Sequence, residues 1–402
     1  MKAKKADKPK DLIKLGSPRW DDTFRMIRGF DAERVRGAKI MVVGAGALGN
    51  EVLKNLALLN VGNILIVDFD TIEYSNLSRS ILYRESDSKK SKKKCEVAAE
   101  RVREINPNVK VQAINGDIML DVGLGVFRRM DAVIGCLDNR LARLFINRNC
   151  FKLGKPWVDG AIENLAGQMN VYRPGINCYE CQLSNIEWSI IQYRLGCPDV
   201  AQRNATQGRI PTTPIAASII GAMQSAEALK IIFDNQKYSL AGQQLDFDAM
   251  LSFFSVSSID YVSKPDCISH ASMPNIIASP LSSGSTVAET LAWLAQHLNE
   301  PEPEIYLHYD VVLSITSVLS EKTHDILLPK PHFSEAVKQR YQASEEDELR
   351  ISGTGTINKK FPHQDEPLSK LGVPPLHILT IGTAKGISFV ELNGDEGFLH
   401  FQ

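Results

Sequence analysis

Three observations predict a doubly wound α/β sheet followed by a smaller α+β unit. Short apolar runs alternate with segments of helical periodicity between Lys39 and Val158. A glycine-rich hexapeptide, Gly44 to Gly49, joins the first such run to the first helix. A Ser- and Pro-rich stretch, Met273 to Thr286, then separates this region from a second set of strands. With 402 residues and 44% hydrophobic content, the chain has apolar material for two or three domains.

Residues 1–36 read as a polar N-terminal segment. Lys39 to Val43 is a buried strand and Leu48 to Leu59 a helix with an apolar face. Asn63 to Val67 is the second strand and ends at Asp68; Lys92 to Ile105 is helical until Asn106-Pro107 stops it. Val109–Ile114, Asp131–Gly135 and Pro156–Val158 complete an expected parallel sheet. The longest apolar stretch, Pro214 to Phe233, contains Gln224, Glu227 and Lys230 and reads as a buried helix, not a membrane span. The expected organisation is a first domain over 37–272 with an insertion at about 182–211, a linker at 273–286 and a C-terminal unit over 287–402. In the last, Val287–Leu298 is a helix, and strands fall at Glu304–Tyr309, Val311–Thr316, Leu376–Ile381 and Ile387–Leu392.

Lys and Arg total 46 against 47 Asp and Glu, which offers no electrostatic reason to expect nucleic acid or an anionic membrane as partner. The N-terminus is basic but lacks the apolar run of a signal peptide, so a cytoplasmic location is expected. Seven cysteines in such a chain point to metal binding, catalysis or burial rather than disulfides. All eight histidines lie at position 270 or later, so the Gly-rich half has no imidazole to act as a general base. Its chemistry must run on metal, charge and thiol.

Gly44, Gly46 and Gly49 fit G-x-G-x-x-G between a strand and a helix, where backbone N–H groups can face phosphates. Asp68 stands at the next strand end, where a carboxylate can accept from ribose hydroxyls, which suits NAD equally well. The residues beyond Asp68 favour a nucleoside triphosphate: Asp70, the run Ser75-Asn76-Leu77-Ser78-Arg79, a lysine cluster from Lys89 to Lys94, and Leu137-Asp138-Asn139 after a later strand. Fixed cations can neutralise phosphate oxygens while a carboxylate holds magnesium.

This set resembles the signature of the ubiquitin-activating superfamily, which includes the ThiF/MoeB-like adenylating enzymes of molybdopterin and thiamine sulfur transfer. The resemblance implies that Asp68 binds the ribose, that Asn76 and Arg79 contact the triphosphate, and that Asp138 ligates Mg2+ beside ATP. Counting back from Ile105-Asn106-Pro107 makes the family's lysine Lys94; counting forward from Arg79 makes it Lys92; Lys94 is favoured. Arg19 and Arg25 resemble N-terminal arginines that reach the ATP of a partner subunit, which implies a dimer, expected as a homodimer.

Cys178-x-x-Cys181 and Cys267-x-x-His270 form two knuckle-like pairs, a ligand set for one tetrahedral Zn2+ ion. Four protein ligands leave no position for water, so such a site is structural. Cys95, Cys136 and Cys150 sit in apolar or helical segments and read as core. Cys197, in a loop-like setting near Arg194 and Arg203, has cations to favour its thiolate.

The stretch from Cys178 through Pro211 into the following helix resembles catalytic subunits of ubiquitin-like-protein-activating enzymes, in which a thioester-forming cysteine follows the first zinc pair. Cys197 is the match. The implied sequence is adenylation of a ubiquitin-like protein's C-terminal carboxylate, thioester formation on Cys197 and transfer to a conjugating enzyme, which a C-terminal ubiquitin-fold-like domain would recruit. A short activating enzyme of this kind also resembles those of bacterial ubiquitin-like conjugation operons, some linked to antiviral defence. The alternatives are a sulfur-carrier adenylyltransferase without thioester transfer, an NAD-dependent oxidoreductase and a non-catalytic scaffold.

Overall fold

The structure is a computed structural model and describes residues 19–196, 211–259, 261–344 and 346–401. Its strands form two sheets. The first comprises β1 (Lys39–Val43), β2 (Asn63–Val67), β3 (Lys110–Ile114), β4 (Ala132–Gly135), β5 (Trp157–Glu163), β6 (Ala166–Tyr172), β7 (Gln243–Asp248) and β8 (Phe253–Ser258). Its order is β3-β2-β1-β4-β5-β6-β7-β8.

β3, β2, β1, β4 and β5 run parallel, as alternating strands and helices require. The expectation of a parallel sheet needs correction beyond β5, because β6, β7 and β8 are antiparallel. Asn164, in the left-handed region at φ 53°, turns the chain straight back from β5 into β6 without a crossover helix. β5 also extends five residues past the expected end at Val158.

The unbroken apolar run of β1 follows from burial on both faces. Ile40 and Val42 join one core with Ile64 and Ile66, while Met41 and Val43 join the opposite core with Leu65 and Val67. Helix Ala47–Leu58 covers the first face and helix Arg140–Lys152 the second. Helix Pro214–Ile232 is long and apolar enough to cross a membrane by length and composition, but it packs across the sheet. Gln224 and Glu227 within it are fully buried and hydrogen-bonded, as expected of a core helix.

The second sheet contains β9 (Ile277–Ser279), β10 (Glu304–Ser317), β11 (Thr323–Pro329), β12 (Leu349–Ile357), β13 (Ile378–Thr383) and β14 (Gly386–Leu392), in the order β11-β10-β13-β14-β9 with β12 also on β10. Helix Val287–His297 packs Val287, Leu291 and Leu294 into its core and begins with a capping box between Thr286 and Glu289. The stretch expected as a linker contributes β9, which pairs in parallel with β14. The two strands expected at 304–309 and 311–316 are one strand, β10, whose pairing with β12 shifts register between Tyr306 and Val311.

The sheets meet closely. The Gly125 N–H donates to the Leu376 carbonyl at 2.8 Å, and a Cβ on Gly123 would fall 2.1 Å from the Pro375 carbonyl oxygen. Glu391 is fully buried at this junction and pairs with both Arg128 and Arg129. Glu391→Ala removes the shared acceptor and should lower the urea unfolding free energy by about 1–3 kcal/mol. An unchanged unfolding midpoint would contradict that role.

Candidate nucleotide site and cysteine–histidine cluster

The glycine loop lies where the strand order reverses between β1 and β4, at their C-terminal ends. Gly44 has φ +94°, and a Cβ there would sit 2.5 Å from the Cys136 carbonyl oxygen. At Gly49 a Cβ would come within 2.0 Å of the Gly44 carbonyl oxygen. These two glycines let the loop, the helix and the end of β4 approach one another. Gly46 differs: a Cβ there would meet nothing within 4 Å, and it caps helix Ala47–Leu58 without a side-chain hydrogen bond. Open space therefore adjoins a helix N-terminus whose first amides can receive phosphate.

Asp68 secures this loop. Its Oδ2 accepts from the Ala45 N–H at 2.7 Å and its Oδ1 from the Asp70 N–H at 2.8 Å. Each oxygen keeps a second lone pair. Burial pushes the Asp68 carboxyl above its ordinary range, and the Lys94 ammonium opposes that rise. Asn50 bridges the Ala45 and Gly46 carbonyls at 2.8 and 2.9 Å and accepts from the Leu82 N–H, while the Tyr83 hydroxyl also donates to the Ala45 carbonyl.

The two candidate lysines are separated by geometry. Asp70–Ile72 pairs with Lys92–Lys94 through Ile72 N–H to Lys92 O and Lys94 N–H to Asp70 O. Lys94 opens helix Lys94–Ile105, two residues later than expected, and its ammonium reaches Asp70 Oδ2 at 2.7 Å. Lys92 turns the other way, onto Asp87 at 2.8 Å. Asn76 and Arg79 occupy or cap the single-turn helix Tyr74–Ser78. Asn76 Oδ1 accepts from the Glu73 N–H and Arg79 donates to the Ser75 carbonyl, and both of these bonds are local to that turn.

Asp138 is exposed in the loop after β4, and Asn139 caps helix Arg140–Lys152 by accepting from the Leu141 N–H. Sequence reasoning missed what supports this loop. Arg143 pairs with buried Asp159 at 2.9 Å and also donates to the Leu137 and Gly160 carbonyls. Gln224 donates to the Gly135 carbonyl at 2.9 Å from the helix across the sheet. The sequence signals were faint: a polar residue in an apolar helix, and an arginine one turn after an N-cap.

The four expected zinc ligands converge, with their ligand atoms all within 4.8 Å of one another. Cys178 Sγ lies 3.9 Å from Cys267 Sγ, and Cys181 Sγ 3.5 Å from His270 Nε2. Tetrahedral zinc with its usual bond lengths requires edges of about 3.8 Å between sulfurs and about 3.5 Å between sulfur and nitrogen. Asn147 donates to Cys178 Sγ at 3.2 Å and the Lys264 N–H to Cys181 Sγ at 3.4 Å, while Phe151 stacks on the His270 ring. Glu180 accepts from Ser269 and bidentately from Arg148, tying the two ligand pairs together.

Cys95 and Cys150 are fully buried, and burial pushes the Cys95 thiol up to about 12 and the Cys136 and Cys150 thiols higher still. The reading as core holds for Cys95 and Cys150, while Cys136 is partly buried and packs against the core. Cys197 lies outside the described residues. The stretch before it, expected to be loop-like, is helical from Asn185 to Gly196, and Glu187 of that helix pairs with Arg140. Arg25 pairs within its own chain with buried Asp21 at 3.1 Å and Glu33 at 3.5 Å; the Arg19 N–H donates to Asp22.

A Gly-rich strand-to-helix turn with an acidic β2 end and a β1/β4 crevice defines a nucleotide-binding α/β protein with a Rossmann-like adenylation fold. The chain belongs to the ThiF family, whose model matches residues 23–268. It is 31% identical to the molybdopterin-synthase adenylyltransferase of Escherichia coli (strain K12), over 57% of this chain and 87% of that protein. It is also 31% identical to the SAMP-activating enzyme E1 of Haloferax volcanii, over 58% of this chain and 80% of that protein. With SUMO-activating enzyme subunit 2 of Dictyostelium discoideum it shares 37% identity over 41% of this chain. The chain spans only 25% of that relative's length, and 46% of the adenylyltransferase and sulfurtransferase MOCS3-1 of Zea mays. Among solved structures, E. coli MccB with ATP superposes with a TM-score of 0.48 at 21% identity, covering 60% of this chain and 68% of that one.

Proposed function

We propose that this protein adenylates the C-terminal carboxylate of a ubiquitin-like protein with ATP, takes the acyl group onto Cys197 as a thioester and passes it to a conjugating enzyme. The observation that carries the adenylation is the open helix N-terminus at Gly46 beside Asp68, Asp70 and Lys94. There the helix amides and Lys94 would meet the phosphates and Asp68 the ribose, with Asn76 and Arg79 on the next turn. Asp138 would hold magnesium, which supplies positive charge against the phosphate oxygens. The carboxylate is ionised at neutral pH and needs no general base.

Its oxygen bonds to the α-phosphorus, the bond from that phosphorus to the bridging oxygen breaks, and pyrophosphate leaves with the electron pair. The Cys197 thiolate then attacks the acyl carbon and AMP departs. Preorganised charge and positioning do the catalysis. ATP labelled on the α-phosphate should label the modifier, whereas ATP labelled on the γ-phosphate should not; label arriving from the γ-position would mean phosphorylation and overturn the reading. A second reading, sulfur-carrier adenylation without a thioester, is favoured by relatives named as molybdopterin-synthase and sulfur carrier protein adenylyltransferases.

Cys178, Cys181, Cys267 and His270 would hold a structural zinc, a reading supported by the convergence of their four ligand atoms within 4.8 Å and by two edges of zinc-like length. Protein purified without chelator should contain one zinc per chain and Cys181→Ser much less; metal analysis finding none in the wild type would sink the assignment. The proposed organisation keeps adenylation within 37–272 and gives the C-terminal α+β unit, read as ubiquitin-fold-like, the recruitment of the conjugating enzyme. A homodimer is supported by the exposed Met250, Leu251, Phe253 and Phe254 at the β7–β8 hairpin. Light scattering that finds a fully active monomer would refute it.

A further inference from the structure

A cavity of about 160 Å³ lies between the first sheet's helix Arg140–Lys152 and the second sheet, away from the glycine loop. Its walls are mostly apolar, including Met119, Leu124, Phe145, Leu371 and Leu379. No Asp or Glu lines it, but Lys152, His308, His332 and His377 do. Among the described residues, the Lys152 ammonium makes no hydrogen bond and no ion pair. Two polar atoms in this wall are buried without partners, Asn149 Nδ2 and His377 Nδ1. Asn149 is 2% exposed, so its idle donor has no access to bulk water. Orphaned buried donors are uncommon, and an unfilled one costs free energy that a ligand can recover.

The electrostatics point the same way. Burial and the nearby Lys152 and Arg148 charges push His308 down to about 4, and burial with His308 and Lys152 pushes His377 down to about 3. Burial also lowers Lys152 from its ordinary value, with Arg148 adding to the effect and Glu180 opposing it. At neutral pH His308 and His377 are therefore uncharged, which leaves Lys152 as a cation in a lining that contains no carboxylate. The volume sets the size of what fits, since a cavity of about 150 Å³ accepts benzene.

We propose that this cavity binds a small carboxylate carrying one aromatic ring or a short branched chain, its carboxylate on Lys152 and Asn149 Nδ2 and its apolar end among Leu124, Phe145 and Leu379. The site is independent of the nucleotide site, with which it shares no residue.

Calorimetric titration of the full-length protein with benzoate tests this, with benzamide as the neutral analogue and a repeat at saturating ATP. Benzoate is expected to bind once per chain, benzamide at least about tenfold more weakly, and ATP to leave benzoate binding unchanged. Lys152→Met should weaken benzoate at least about tenfold, and Asn149→Leu should do so without touching the charge. Melting curves of both variants establish that each is folded before titration; should either fail to fold, the benzoate-to-benzamide ratio in the wild type decides. Absence of benzoate binding, equal binding of benzamide, or displacement of benzoate by ATP would each overturn the proposal.

Discussion

Lys94→Met will lower ATP–pyrophosphate exchange by about 10²–10³-fold, whereas Lys92→Met will leave it within about twofold. The first figure is the usual effect of deleting one preorganised charge-stabilising donor from a polar transition state. Lys94 merits it because its ammonium stands against Asp70 and acts on Asp68, at the edge of the space left open by Gly46. Lys92 lies two residues away but faces Asp87, a buried carboxylate that also accepts from the Arg84 N–H and stands 3.6 Å from Arg101. Its loss should show in stability, as a melting temperature lower by a few degrees.

That deficit should depend on pH with a definite sign. Burial alone would raise Asp87, but its hydrogen bonds to Lys92 and the Arg84 N–H, with the charges of Lys92 and Arg101, hold it below the ordinary carboxylate range. A depressed carboxylate contributes its full stability above its unfolded pKa and loses it as pH falls through the folded value. The difference between wild type and Lys92→Met should therefore shrink below about pH 4. Equal loss of exchange in both lysine variants would contradict the separation of roles.

Cys197→Ala will abolish the thiol-reducible adduct with the modifier while leaving pyrophosphate exchange near normal. The six other cysteines leave little room for a substitute nucleophile. Cys95, Cys136 and Cys150 are held protonated by burial, and Cys178, Cys181 and Cys267 stand with His270 in the cluster. Helix Asn185–Gly196 leads directly to Cys197, and the Arg140–Glu187 pair ties it to helix Arg140–Lys152, whose Arg143 supports the Leu137–Asp138 loop. Adenylation precedes thiol attack, so exchange should survive the substitution. An adduct that persists in Cys197→Ala would move the thioester elsewhere; lost exchange in a folded variant would place Cys197 in the nucleotide site.

The parts legible in the sequence were those written in local pattern. Lys39–Val43 had to be a strand buried on both faces, and Gly44 and Gly49 stand where a Cβ would strike neighbouring backbone. The C-x-x-C and C-x-x-H pairs were readable because each is local, and the fold brings them together across nearly ninety residues. The antiparallel β6–β8 extension was hidden because Gln168 and Asn170 interrupt the apolar pattern of β6 and Phe253, Phe254 and Val256 of β8 are largely exposed. Arg143 with Asp159, Gln224 on the Gly135 carbonyl, and Asn147 between Trp157, Cys178 and Ser269 were invisible for another reason. Each joins residues distant in the chain, so no spacing announces it. Lys92 and Lys94 pair with different carboxylates, Asp87 and Asp70, a difference that two lysines two positions apart do not announce.

The most direct test of the central claim is ATP–pyrophosphate exchange by the 402-residue chain, with a ubiquitin-like protein supplied either with a free C-terminal carboxylate or as the C-terminal amide. The proposed reaction predicts exchange with the carboxylate form, none with the amide, and loss of the signal in Lys94→Met. Exchange that proceeds equally with the amide, or is absent with the carboxylate form while the protein binds ATP, would contradict the account.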